Sequence, residues 1–301
     1  MDPMTHRVYC FGEILWDVLP DGPQPGGAPL NVAYHLTKLR LTAGLISCVG
    51  SDGEGRHLTE LVDAWMINKD HVQVDDEHPT GKVIAKMSAE HEVAYEIIAP
   101  VAWDFISTNS MVMRTVKNAD CLVYGSLASR NFHSRQSLFA LLEVANLKVF
   151  DVNLRPPFYE SSVLEALLEK ADLLKMNSTE LEIIREMLGI RKVDEQSQVD
   201  IIRKKFGIQE VLITRGEKGA SYYIADRAYH AKGIPITVND TIGSGDAFLA
   251  AFLACRFRKK SPETILKKAV AMGSFIAGKK GGCPAYPLSA YMDFVEKHAE
   301  N

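Results

Sequence analysis

A chain of 301 residues, 47% of them apolar, is long enough for one large domain or two small ones and for a sizeable core. Its net charge of −4, with Arg256–Lys260 as the densest basic cluster, argues against nucleic acid and against a membrane surface as partners. Five cysteines, odd in number and widely spaced (Cys10, Cys48, Cys121, Cys255, Cys283), exclude a disulfide frame and read as small buried hydrophobes of a reducing compartment. No signal peptide and no apolar run of about 18 residues is present, so a soluble cytoplasmic protein is expected, with Met1–Thr5 as a ragged start.

Arg7–Asp17 reads as a buried first strand ending in the carboxylate of Asp17. A Pro/Gly loop, 20–27, follows, and Pro29 then stands at a helix N1 position before the helical stretch Leu30–Leu39. The Gly26-Gly27 turn lets a ligand rest on backbone, and Asn31 in the first helical turn offers both a donor and an acceptor. With Asp17 it makes a grip for vicinal hydroxyls, each of which donates and accepts. Taken alone, Asn31 reads more simply as part of a solvated helix face shared with His35 and Lys38.

Ala43–Gly50 is a second buried strand; Ser51–Gly55 is a turn in which Asp52 is structural, and a helix runs on to about Trp65. Thr80–Met87 and Glu92–Ile98 are short β-branched segments around the polar turn Ser88–His91. They form an antiparallel hairpin inserted into an otherwise alternating chain and closed by Trp103-Asp104. Beyond it the short apolar strands Cys121–Gly125, Val149–Asn153, Leu173–Asn177 and Glu210–Thr214 alternate with helices such as Ser162–Lys170, Ser178–Leu188 and Gln196–Phe206. Such alternation implies a mostly parallel sheet with helices on both faces and ligands beyond the carboxyl ends of the strands. Asp17, Asn153, Arg155, Asn177 and Thr214 would gather at that edge.

Three stretches along this edge carry two readings each. In Asp151–Arg155 the Asp, Asn and Arg share one side if the strand continues; Arg155 then either meets a phosphate or pairs with Asp151. Asn177-Ser178-Thr179-Glu180 fits a helix N-cap, and Asn177 with Glu180 also suits a magnesium ion held through water. Thr214-Arg215-Gly216-Glu217-Lys218-Gly219 is a hairpin turn with room to border a nucleotide.

The stretch Thr237–Phe248 is the most specific. A Gly-rich turn runs straight into Leu249–Cys255, apolar nearly all round and therefore a buried helix. Unpaired N–H groups and the positive end of the dipole suit an anion there, and Gly243 and Gly245 let backbone approach it. Asp246 sets a carboxylate beside that site, which is the combination that phosphoryl transfer to a hydroxyl requires. No Gly-x-x-x-x-Gly-Lys-[Ser/Thr] occurs, no Gly-x-Gly-x-x-Gly follows the first strand, and no His/Cys cluster has zinc spacing.

In this order the pieces resemble, over almost the whole chain, the ribokinase-like family of sugar kinases, also called the phosphofructokinase-B type. Gly26–Ala33 looks like part of its N-terminal signature, and Asp240–Phe248 matches its C-terminal one. Phe11-Gly12-Glu13 through Asp17, Gly26–Leu36, Trp103-Asp104 and Asp151–Arg155 are most similar to bacterial fructokinases. The resemblance implies a three-layer α/β/α sandwich with a mostly parallel central sheet: one kinase domain over 6–301. Its small inserted β-sheet lid would lie at about 79–102, with a contribution from about 16–26.

The implied activity is ATP-dependent phosphorylation of a sugar, foremost the 6-hydroxyl of D-fructose. Ribose, 2-keto-3-deoxygluconate or a nucleoside are alternative substrates, and a non-catalytic sugar-binding regulator is the alternative of a different class. In the implied site Asp246 is the general base, and the N–H groups of Gly243, Ser244 and Gly245 form the anion hole; relatives most often have Ala or Gly where Ser244 stands. Asp17, Gly27 and Asn31 hold the sugar, with Arg155 beside them. Asn177 and Glu180 position magnesium, and Thr214, Gly216 and Gly219 border ATP. Asp240 and Ile242, with carbonyls of the Gly278–Ala285 loop, form a potassium site, although Ala285 lacks the hydroxyl that some relatives use. Sugar and ATP are the implied ligands, and a homodimer through the lid the implied assembly.

Overall fold

The computed structural model describes residues 6–87 and 93–298; the expected ragged start, the polar turn Ser88–His91 and positions 299–301 lie outside the described residues. β1 (Arg7–Phe11) stops at Gly12, whose φ of 137° belongs to glycine. A Cβ there would stand 3.0 Å from the ring of Pro29. The chain turns out of the main sheet, and β2 (Leu15–Leu19) pairs with β3 (Gly22–Gly26) in a second, smaller sheet. The expected single strand Arg7–Asp17 is thus two strands of different sheets, and the expected Pro/Gly loop is β3. Its prolines are tolerated because β3 is an edge strand.

Then come α1 (Ala28–Lys38), β4 (Thr42–Gly50), α2 (Gly53–Ala64) and β5 (Asn68–Asp75). Asp52 caps α2 by accepting from Gly55 N at 2.7 Å, the structural role expected of it. β6 (Gly81–Met87) runs parallel to β2 and turns back antiparallel into β7 (Val93–Ile97), completing the small sheet in the order β3-β2-β6-β7. The return to the main body is anchored at Asp104, which grips Arg130 through both carboxylate oxygens at 2.7 Å each. α3 (Ser110–Lys117), β8 (Cys121–Gly125), α4 (Phe132–Leu142), β9 (Lys148–Asp151), α5 (Ser161–Lys170), β10 (Leu173–Asn177), α6 (Ser178–Met187), α7 (Glu195–Phe206) and β11 (Glu210–Thr214) follow. The meander β12 (Ala220–Ile224) and β13 (Arg227–Ala231) leads to α8 (Ser244–Phe257), α9 (Pro262–Ala277) and α10 (Leu288–Lys297).

The large sheet has nine strands in the order β13-β12-β11-β10-β9-β8-β1-β4-β5, parallel except for the antiparallel β11-β12-β13 edge. Side chains alternate between two cores: Leu212 enters one while Val211 and Ile213 enter the other. The result is the expected three-layer α/β/α sandwich with a small separate sheet. The chain leaves β1 first towards β4 and later returns to its other side at β8, so the strand order reverses there, which opens a crevice at the carboxyl ends. α8 is buried from Asp246 to Cys255, as its all-round apolar sequence requires.

Candidate active site

The carboxyl ends of β9, β10 and β11, the start of α1 and the first turn of α8 enclose a cavity of about 660 Å³. Leu15, Asp17, Val83 and Ile97 of the small sheet line its other side. α8 opens at Gly243, in the left-handed region at φ 72°. The Ser244 N–H donates to Thr241 O at 3.2 Å, and its hydroxyl donates to the same oxygen at 2.9 Å. Of the three peptide groups expected to receive an anion, the middle one is thus tied into the turn, and all three residues line the cavity.

The turn leans on the 278–285 loop. A Cβ on Gly243 would stand 2.5 Å from Gly282 Cα, and a Cβ on Gly282 would stand 2.6 Å from Asn31 Oδ1. Several polar groups hold that loop. Asp240 accepts from Ile242 N at 3.0 Å and from Gly281 N at 2.9 Å. Tyr34 Oη donates to Pro284 O at 2.7 Å, while His35 bridges Gly282 O at 2.9 Å and Tyr286 Oη at 2.8 Å. Burial pushes the His35 pKa down to about 4, so the ring is neutral near pH 7. One nitrogen donates to the carbonyl and the other accepts from the hydroxyl. The solvated-face reading of Asn31 and His35 therefore fails, since both are buried.

Asn31 Nδ2 donates to Asp246 Oδ2 at 2.8 Å, which joins the residue expected to grip the sugar to the residue expected to act as base. Asn31 Oδ1 receives Cys283 Sγ at 3.3 Å, so the amide is oriented from both ends. Burial, with repulsion from Asp151, raises the Asp246 pKa to about 6, against the opposing pull of Lys175, the Asn31 hydrogen bond and Arg155. A base must be ionised to accept a proton, so kcat/KM should fall on an acidic limb centred near pH 6. A pH–rate profile with no limb between pH 5 and 7 would remove Asp246 from that role.

Asp17 sits across the ladder from Gln24 and folds over Gly26, where a Cβ would collide with its Oδ2 at 2.0 Å. Burial raises its pKa to about 6, opposed by Arg155. Gly27 has φ 107°, and a Cβ on it would meet Glu13 O at 2.3 Å. Arg155 lines the cavity and donates to the carbonyl oxygen of the preceding Leu154 at 3.1 Å. It does not pair with Asp151, because β9 ends at Asp151 and Asn153 turns the chain at φ 40°.

Asp151 instead holds Lys175, with Nζ 2.7 Å from each carboxylate oxygen. Sequence alone assigns this lysine no role. The available signal was a cation two positions before Asn177 in an otherwise apolar strand, on the same side as Asn177. Glu13 is likewise assigned no role by sequence alone. It is buried after β1, accepts from Ala28 N at 3.3 Å through Oε1, and has no hydrogen bond at Oε2. Burial raises its pKa to about 7.

Asn177 and Glu180 form a reciprocal capping box: Glu180 N donates to Asn177 Oδ1 at 2.9 Å, and Asn177 N to Glu180 Oε2 at 2.8 Å. Glu180 Oε1 also accepts from Leu154 N at 3.0 Å. The N-cap reading holds, and both residues still line the cavity, as does Thr214. Gly216 and Gly219 lie outside the lining and shape the turn beyond β11, at φ 55° and 93°. Asp240 also lies outside it, while Ile242 lines it.

Five carboxylates line the cavity (Glu13, Asp17, Asp151, Glu180, Asp246) against two cations, Arg155 and Lys175. A phosphate ester entering it needs a cation of its own. No group of three or more His, Cys, Asp or Glu is gathered to hold a metal among the described residues. Both Glu180 oxygens already accept from backbone, so this donor set suits a magnesium ion that keeps its water shell and is held through it.

Comparison with known proteins fits this picture. A family model described as pfkB family carbohydrate kinase matches residues 22–288. Fructokinase of Salmonella typhimurium is 26% identical over 308 residues, covering 94% of this chain and 97% of that protein. Fructokinase-2 of Solanum lycopersicum is 25% identical over 312 residues, covering 94% of both. Among solved structures, fructokinase with bound ATP from Xylella fastidiosa aligns with a TM-score of 0.87 at 21% identity, over 99% of this chain and 100% of that one. Fructokinase from Vibrio cholerae O395, bound to fructose, ADP and calcium ion, gives 0.81 at 23% identity over 97% and 99%. At those identities the structural likeness shows the fold.

Proposed function

The chain belongs to the pfkB family of carbohydrate kinases and is a sugar phosphotransferase; from that premise we propose that it transfers the terminal phosphoryl group of ATP to the 6-hydroxyl of D-fructose. The observation that carries this is the 2.8 Å hydrogen bond from Asn31 to Asp246, which sets a hydroxyl-gripping amide against a carboxylate at a helix N-terminus. The relatives named fructokinase across bacteria and plants favour fructose among the sugars.

In this mechanism Asp17, Gly27 and Asn31 hold the sugar, with Arg155 at its open side. Asp246 takes the proton of the attacking hydroxyl, and the Gly243 and Gly245 peptide groups receive the phosphoryl oxygens as the group moves in line, while the Ser244 N–H, donating to Thr241 O, holds the turn between them. The small sheet closes over the sugar as a lid and keeps water from taking the phosphoryl group. Thr214 borders ATP at the end of β11, with the Gly216 and Gly219 turn beside it. Magnesium held through water by Asn177 and Glu180 would neutralise charge on the phosphate oxygens.

A potassium ion would be held by the carbonyls around Ile242 and the 278–285 loop, with Asp240 supporting it from behind, since its carboxylate is already bound to Ile242 N and Gly281 N. Five free cysteines suit a reducing compartment such as the cytoplasm, and no described helix is long and apolar enough to cross a membrane. The lid is also the surface through which a homodimer would form, which size-exclusion chromatography of the intact and lid-deleted chains can test.

The decisive assay is ATP consumption by the purified protein over a panel of fructose, ribose, 2-keto-3-deoxygluconate and nucleosides, with and without potassium. Fructose should give the highest kcat/KM. A higher value for another sugar would move the assignment within the family. Tight sugar binding without any ATP turnover would instead favour a sugar-binding regulator.

A further inference from the structure

Lys175 is a cation in the floor of the cavity with its side chain only 8% exposed. Asp151 takes two of the three donors of its ammonium, and the third has no partner among the described residues. The proposed phosphoryl site is close by: a Cβ on Gly245 would stand 3.4 Å from Lys175 Nζ. The ammonium thus faces the first turn of α8 at a residue without a side chain. An ion pair this buried adds little net stability, because the desolvation of its two charges offsets their attraction.

We infer that Lys175, held by Asp151, is a positioning residue for phosphoryl transfer, its ammonium standing under the Gly245 peptide to set the charge felt by the incoming anion and by Asp246. The inference rests on the kinase reading above and deepens it, adding a fixed cation beneath the anion hole that the capping pattern of β10 and α6 alone did not reveal. Asp246 faces Asp151 and Lys175 from the central sheet, Cys10 from β1, Glu13 from the turn after β1, Asp17 from β2, Asn31 from α1, Arg155 from the loop after β9, and Cys283 from the 278–285 loop. Of the pair, Asp151 disfavours ionisation of Asp246 and Lys175 favours it, so the two halves push in opposite directions.

That opposition gives a test that a merely structural pair would fail. Lys175→Met should move the Asp246 midpoint up by about 1 pH unit, and Asp151→Asn should move it down by about as much. The double variant should return it close to wild type, yet lose ~10- to 100-fold in kcat at pH 8, because the cation beneath the phosphoryl group is gone. The double variant removes the buried pair whole and strands no charge, so it remains testable if a single variant fails to fold. Carboxyl ¹³C NMR of Asp246 in the substrate-free protein reads the midpoints whichever sugar is phosphorylated, which separates failure of this inference from failure of the fructose assignment. Shifts in the same direction, no shift in either single variant, or a wild-type kcat in the double would overturn it.

Discussion

Asp246→Asn should bind sugar and ATP as the wild type does and turn over ~100- to 10,000-fold more slowly, the loss typical of removing a general base. The isostere keeps an oxygen to accept from Asn31 Nδ2, so the 2.8 Å link between grip and base survives in form. Its stability should move the other way. A carboxyl whose pKa rises on folding, here from an ordinary 3.8 to about 6, favours the folded state at low pH. That contribution is lost as pH rises from about 4 through 6, so the native protein carries a buried charge at neutrality that the amide does not. The variant should therefore melt no lower than wild type at pH 7, and any advantage should shrink as pH falls through the 4–6 window. Calorimetry at pH 4.5 and 7 beside steady-state kinetics checks both halves. Near-normal turnover, or a marked loss of stability at pH 7, would sink the assignment of Asp246 as base.

Gly243→Ala should cost ~100-fold or more in kcat/KM, and Gly245→Ala considerably less. The two glycines look alike in sequence and differ in what surrounds them. At Gly243 the backbone is left-handed, φ 72°, which costs a residue with a Cβ about 1–2 kcal/mol. The added methyl would also meet Gly282 Cα at 2.5 Å, backbone that cannot swing aside. The first turn of α8 must shift away from the 278–285 loop and from Asn31, and a misplacement of about 1 Å can by itself cost ~100-fold. At Gly245 the backbone is not left-handed, and the methyl would meet Lys175 Nζ at 3.4 Å, an ordinary van der Waals contact. Equal losses in the two variants would mean that the contact with Gly282 does not hold the turn in place.

Much of this was legible in the sequence because it rests on strong local patterns. The run Leu249–Cys255 allows only a buried helix, and the short apolar strands with helices between them allow only a covered parallel sheet. The stretch Asn177–Glu180 announces a helix N-cap with Asn177 or Ser178 as the cap, and the structure gives it to Asn177. What was not legible depended on single residues or on distant partners. Gly12 diverts the chain between sheets, and no periodicity records one residue of left-handed backbone, so Asp17 was read at the end of the wrong strand. β5 is only half buried and lacks clean alternation, which hid it. His35, Glu13 and Lys175 are ionisable residues that elements far along the chain bury, and a polar letter on a helix or in a strand looks solvated until its neighbours are known.

The bond between Asn31 and Asp246 joins positions 215 residues apart. During synthesis Asn31 therefore leaves the ribosome long before Asp246, its partner and the proposed base, and the β1–β4 region can take shape while α8 is still unmade. On the proposed reading, a chain that ends before α8 holds Asn31 without Asp246, so the amide and the proposed base meet only when α8 docks against α1.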